Sequence, residues 1–128
     1  MYASFAGGFK VSPANNSYTP RELAHQIHTS QAVVVVVHPL FVKTLLGAFK
    51  LLGISEDNAR KRMILGDWNE KLDQPPPTGF LSINDLTGKG TLAEEAKFAG
   101  RYTNETALLC FSSGTTGLAK GVEVYPIS

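Results

Sequence analysis

Five consecutive valines, Val33 to Val37, constrain the fold more than any other stretch of this chain. A β-branched residue at every position favours extended backbone, because its crowded Cβ fits a pleated surface better than a helix. A strand with one face in water alternates apolar and polar residues, and this run does not. It therefore predicts a strand covered on both faces, as in a parallel sheet flanked by helices. His38-Pro39 ends it, since proline lacks the N–H that a ladder needs.

The segments on either side fit that scheme. Thr19 reads as an N-cap, with Pro20 at the first helical position and Glu22 three residues after the cap, so a helix runs from Pro20 to about Ser30. Tyr18 and Leu23 are placed to close a hydrophobic staple, and Leu23, Ala24 and Ile27 share one face. After the valines, Leu40, Phe41, Leu45, Ala48, Phe49 and Leu52 recur at helical spacing, and Gly53 stops the helix. Glu56 to Arg62 reads as a polar helical turn, and Met63-Ile64-Leu65 as a further strand. Met1 to Ala6, closed by Gly7-Gly8, has the composition of a helix tail with its cap, and Phe9-Lys10-Val11 suits a short strand.

From Trp68 to Gly90 the order weakens, and Pro75-Pro76-Pro77 reads as a stiff loop. Gly88-Lys89-Gly90 imitates a dinucleotide fingerprint but follows no convincing strand. Thr91, with Glu94 three residues on, predicts a short helix through Phe98. Ala107 to Phe111 is an apolar run of strand length. Strands alternating with helices predict an α/β fold with a parallel, three-layer sheet, in which ligands collect beyond the carboxyl ends of strands.

Length and charge narrow the function. A chain of 128 residues has room for one domain, and 43% apolar residues suffice for a core. A net charge of +1 gives no electrostatic case for nucleic acid or an anionic membrane. The single cysteine, Cys110, excludes an internal disulfide, suits a reducing compartment and reads as a core residue. No signal peptide or membrane-length apolar stretch is evident, so a cytoplasmic location is expected. His25 and His28, three apart on a helix, lack the further ligands a metal needs and read as surface residues.

The chemistry concentrates after Ala107. Cys110-Phe111 opens into Ser112-Ser113-Gly114-Thr115-Thr116-Gly117-Leu118-Ala119-Lys120-Gly121-Val122. Glycines let backbone N–H groups close on an anion. Ser112, Ser113, Thr115 and Thr116 add hydroxyl donors, and Lys120 adds a compact positive charge. The guest this order suits is a polyphosphate. It is not the P-loop of common NTPases, which needs lysine directly after the second glycine and then Ser or Thr; here Ala119 precedes Lys120 and Gly121 follows it.

Ser112 to Gly121 resembles the signature loop of the adenylate-forming (AMP-binding) superfamily, Ser/Thr-Ser-Gly-Thr-Thr-Gly-x-Pro-Lys-Gly, with Ala119 where proline is usual. Gly8-Phe9-Lys10-Val11-Ser12-Pro13-Ala14-Asn15, with Ser17 to Pro20 and Glu22 to Gln26, resembles the upstream stretch of 4-coumarate–CoA-ligase-like enzymes, which usually have proline at the place of Asn16. The likeness covers nearly the whole chain. It implies an N-terminal-domain fragment of an acid–CoA ligase. In such enzymes a carboxylate attacks the α-phosphate of Mg-ATP, and a thiol then displaces AMP.

By that resemblance Ser112, Ser113, Gly114, Thr115, Thr116, Gly117 and Lys120 would bind the β- and γ-phosphates, with ATP and Mg as cofactors. No catalytic residue and no metal ligand is assigned to this chain. The family also carries a histidine shortly after the loop, where Tyr125-Pro126 stands here. The pockets for adenine, ribose and the acid would lie beyond Ser128, and both ends read as cut, so the chain is expected to be a single partial domain that does not catalyse adenylation alone. The alternative is a non-enzymatic small protein whose exposed sheet edges favour a homo-oligomer.

Overall fold

The computed structural model describes residues 2–66, 77–96, 105–112 and 119–125. They fall into two compact units, one of Asn16–Gly90 and the other of Met1–Asn15 with Thr91–Ser128.

The larger unit begins with helix α2, Pro20–Ser30; helix α1, Tyr2–Ala6, belongs to the smaller unit. The capping box of α2 forms as its sequence predicts. Glu22 Oε2 accepts from the Thr19 N–H at 2.8 Å and from its hydroxyl at 2.7 Å, and the Glu22 N–H donates back to Thr19 Oγ1 at 3.4 Å. These bonds satisfy donors that the first helical turn leaves open. They also hold the Glu22 carboxyl below its ordinary pKa, the backbone N–H of Thr19 contributing most. The helix ends at Gln31, which takes a left-handed φ of 54°.

Strand β1 is Val35–Val37, and Pro39–Phe41 then makes a single 3-10 turn. Helix α3, Val42–Leu51, follows and closes with Gly53 at φ 73°, a conformation other residues rarely adopt. Helix α4 is Glu56–Lys61, strand β2 Met63–Leu65, strand β3 Leu81–Ser82 and helix α5 Ile83–Leu86. The last two carry no pattern long enough to read from sequence.

The three strands form a parallel sheet in the order β1-β2-β3. Val36 is level with Ile64, and Ile64 with Leu81. One face of this sheet meets the core: Ala24 and Ile27 of α2, Val42, Leu45, Ala48 and Phe49 of α3, and Val37, Met63 and Leu65 of the strands. Leu45, Ala48 and Phe49 are fully buried. Arg62 ties the entrance of the sheet together. Its guanidinium stacks 5.1 Å from the Phe49 ring centroid, Nε donates to Val33 O at 2.9 Å, and Nη2 donates to Ala32 O.

The expected α/β class holds, with three corrections. Among the described residues the valine run is covered on one face, and Val36 on the other is 58% exposed. Residues 91–96 are exposed and not helical, so the helix expected from Thr91 does not start there; its last residues, 97–98, lie outside the described residues, as do Pro75 and Pro76. The strand after Ala107 does not join the parallel sheet. It is β4, Leu108–Ser112, and it pairs antiparallel with β5, Lys120–Val124. Val11 bridges Leu108 in parallel on the other side of β4, which is what remains of the strand expected at Phe9 to Val11.

Candidate functional site

The loop predicted to hold phosphate lies in the sequence between β4 and β5, whose ladder belongs to the smaller unit. Residues pair Leu108 with Val124, Leu109 with Glu123, Cys110 with Val122, Phe111 with Gly121 and Ser112 with Lys120. The last pair closes the ladder. Directly opposite residues of an antiparallel pair hold their Cβ atoms about 5 Å apart on one face. The side chains of Ser112 and Lys120, both exposed residues, therefore leave the last rung of the ladder from the same face. Ser113, Gly114, Thr115, Thr116 and Gly117 lie outside the described residues.

The hairpin is anchored from behind. The Val11 N–H donates to Ala107 O at 3.0 Å and the Leu109 N–H to Val11 O at 2.9 Å. The Ser12 hydroxyl donates to Leu109 O at 2.9 Å. Gly121 has a steric role. A Cβ on it would meet Leu109 Cδ1 at 3.2 Å and Phe111 Cζ at 3.4 Å, so two apolar side chains of β4 lie across the bare backbone of β5.

At the far end of the ladder, Glu123 Oε2 accepts from the Thr106 and Tyr125 hydroxyls, each at 2.8 Å. These two bonds, Thr106 first, and then the charge of Lys10 hold the Glu123 carboxyl below its ordinary pKa. The same carboxylate raises the Tyr125 phenol. This cluster is invisible in the sequence, because Thr106 and Glu123 meet only through the hairpin register. Tyr125, at the place where the resemblance led to a histidine, works here as a donor to Glu123.

Elsewhere the chemistry is sparse. Among the described residues no group of three His, Cys, Asp or Glu side chains could hold a metal. In the larger unit a cavity of about 430 Å³ opens at the amino ends of β1 and β2, between His28, Gln31, Leu52 and Arg62. Arg62 is engaged there with the Ala32 and Val33 carbonyls, so it frames the strand entry. No helix of the described residues is long and apolar enough to cross a membrane.

The structure superposes with a TM-score of 0.68 on the luciferase-like enzyme of the nonluminescent Zophobas morio mealworm, over 92% of this chain and 25% of that one, at 20% identity. The fold is thus that of part of a luciferase-like enzyme.

The AMP-binding enzyme family matches residues 1–125, and the chain belongs to that family. It is 31% identical over 123 residues to 4-coumarate–CoA ligase 1 of Arabidopsis thaliana, covering 95% of this chain and 20% of that protein. It is 29% identical over 120 residues to 4-coumarate–CoA ligase 5 of Oryza sativa subsp. japonica, covering 94% and 19%. The chain spans about a fifth of the length of these relatives.

Proposed function

We propose that the β4–β5 hairpin grips the β- and γ-phosphates of Mg-ATP, and that the chain is the phosphate-holding portion of an ATP-dependent acyl- or aryl-CoA ligase. The observation that carries this reading is the opposition of Ser112 and Lys120 at the mouth of the loop. A lysine paired across the ladder with a serine suits a phosphate, the one supplying a point charge and the other a neutral donor. Charge grows on pyrophosphate as it departs, so donors fixed around it favour that state over the ground state.

The residues present fit such a guest in sign and type. Lys120 and Ser112 are exposed, and β4 and β5 fix their backbones. Mg characteristically binds through substrate phosphates with few protein ligands, so the chain needs no carboxylate cage of its own. When bound, the metal would neutralise phosphate charge; Ser112 and Lys120 would orient the phosphate tail. The acid partner is an acyl or aryl carboxylic acid, the class of the 4-coumarate for which the two relatives are named.

By itself the chain binds the phosphate tail weakly and forms no acyl-adenylate. Titration calorimetry with pyrophosphate and Mg tests the reading. Binding is expected to fall at least about tenfold in Lys120→Ala, the loss of one charge-assisted contact of about 1.5–3 kcal/mol. Affinity unchanged by Lys120→Ala, or carboxylate-dependent pyrophosphate exchange by this chain, would refute the corresponding part.

A further inference from the structure

Where Lys120 stands depends on the register of β5 against β4, and the side chains of β5 do little to choose it. A register is well specified when one face of a strand is apolar and the other polar, because a slip of one residue then exposes the apolar set. Strand β5 lacks that contrast: Lys120 shares a face with Val122 and Val124, and Glu123 shares the other with Gly121. All five residues are exposed among the described residues. A slip of one residue would turn Lys120 to the opposite face, and a slip of two would carry it about 7 Å along the strand.

One side chain ties the two strands together at the end away from the loop. Glu123 Oε2 accepts the Thr106 hydroxyl from just before β4 and the Tyr125 hydroxyl from just after β5, each at 2.8 Å. Thr106 and Glu123 are 17 residues apart in the chain, so they meet only when β5 is seated in this register. Glu123 also sits at a rung that has no backbone bonds of its own. Its partner Leu109 turns its N–H to Val11 O and its carbonyl to the Ser12 hydroxyl, away from β5. Leu109–Glu123 is therefore a non-hydrogen-bonded pair of the ladder, and by alternation so is Phe111–Gly121.

We infer that Glu123 is a positioning residue for the phosphate site: by taking both hydroxyls on one oxygen it locks β5 onto β4 in the register that sets Lys120 level with Ser112. This role presupposes the proposed reading of the loop, since Lys120 and Ser112 are the groups it sets in place. Glu123 touches no phosphate itself. Its side chain leaves the ladder on the face opposite to theirs, so it acts through the backbone of β5. Because a single oxygen accepts both bonds, an amide oxygen in the same place can serve as well as a carboxylate.

Two measurements on the whole chain test this. Non-hydrogen-bonded pairs hold their Cα atoms about 4.5 Å apart, which brings the α-protons into strong NMR contact, so the register is read from the Phe111–Gly121 contact without any ligand. Titration with pyrophosphate and Mg then reads the site. Glu123→Val removes both hydrogen bonds yet favours extended backbone more than glutamate does, so a role in strand stability alone predicts no loss. We expect instead a weakened Phe111–Gly121 contact and affinity lower by at least about threefold, because only chains in register bind. Thr106→Val keeps the shape, loses the hydroxyl and should do the same; Glu123→Gln should stay within about twofold of the native chain. A contact absent from the native chain or unchanged in Glu123→Val overturns the inference, as does a lost contact with unchanged affinity. Lys120→Ala, which leaves Glu123 in place, separates this from failure of the loop reading: unchanged affinity there refutes the phosphate site, while the α-proton contact still reports whether Glu123 sets the register.

Discussion

Gly121 offers a place where two physical effects of known size oppose each other. Glycine within a strand costs about 0.5–1 kcal/mol relative to alanine, because it loses more backbone freedom on folding. A methyl group here, however, would meet Leu109 Cδ1 at 3.2 Å and Phe111 Cζ at 3.4 Å. The first is the end of a flexible side chain and yields by a few tenths of an ångström, so Gly121→Ala should change stability by less than about 0.5 kcal/mol, gain and clash nearly cancelling. Valine cannot be absorbed that way. Its two γ-methyls enter the space of the Phe111 ring, and overpacking of that kind costs about 1–3 kcal/mol despite valine's preference for strands.

Gly90 supplies the control. A Cβ there meets nothing within 4 Å, so Gly90→Ala should stabilise by about 0.4–1 kcal/mol through the unfolded chain alone. The assay is amide exchange at Leu109, Phe111 and Val122, with urea melting of the whole chain alongside. A loss of one or two kcal/mol accelerates exchange about 5- to 30-fold, provided the hairpin opens as a unit. Pyrophosphate affinity should fall in Gly121→Val as Ser112 and Lys120 lose their register. A Gly121→Val chain with exchange as slow as Gly121→Ala would refute the account of Gly121 as a space-making residue.

Other outcomes follow from single contacts. Phe49→Ala should cost about 3–5 kcal/mol in urea melting, because a fully buried ring is lost and the Arg62 guanidinium above it with it; Phe49→Leu should cost clearly less. Thr19→Ala should cost about 1 kcal/mol by removing the acceptor for the Glu22 N–H. The folded-state pKa of Glu22 lies below its ordinary value of 4.5, so its contribution is complete above 4.5 and disappears as pH falls through the lowered value. Glu22→Gln should therefore flatten the acid side of the stability profile below about pH 4.5, as thermal melts across that range would register.

Local signals determined much of this protein without help from the fold. Thr19, Pro20 and Glu22 specify where α2 starts, because a capping box is made by residues three apart. Gly53 closes α3 because only glycine takes that backbone angle without strain, and Met63 to Leu65 is a strand because it is short, apolar and bounded. Ser112 and Lys120 were legible as candidate phosphate contacts from the order of hydroxyls, glycines and lysine between two apolar runs. Their opposition across the hairpin was not, and neither was the Thr106–Glu123–Tyr125 cluster, since both depend on register.

Tertiary structure alone decided which strands are partners. Valine, leucine and methionine favour extended backbone equally in a parallel or an antiparallel ladder, and the difference lies in hydrogen bonds between segments far apart in the chain. So β4 leaves the parallel sheet for β5 and Val11, with nothing in Ala107 to Phe111 to announce it. The same holds for coverage. An unbroken run of valines is fit to be buried on both sides, but whether anything packs over Val36 depends on what the rest of the chain places there, and among the described residues that face stays open.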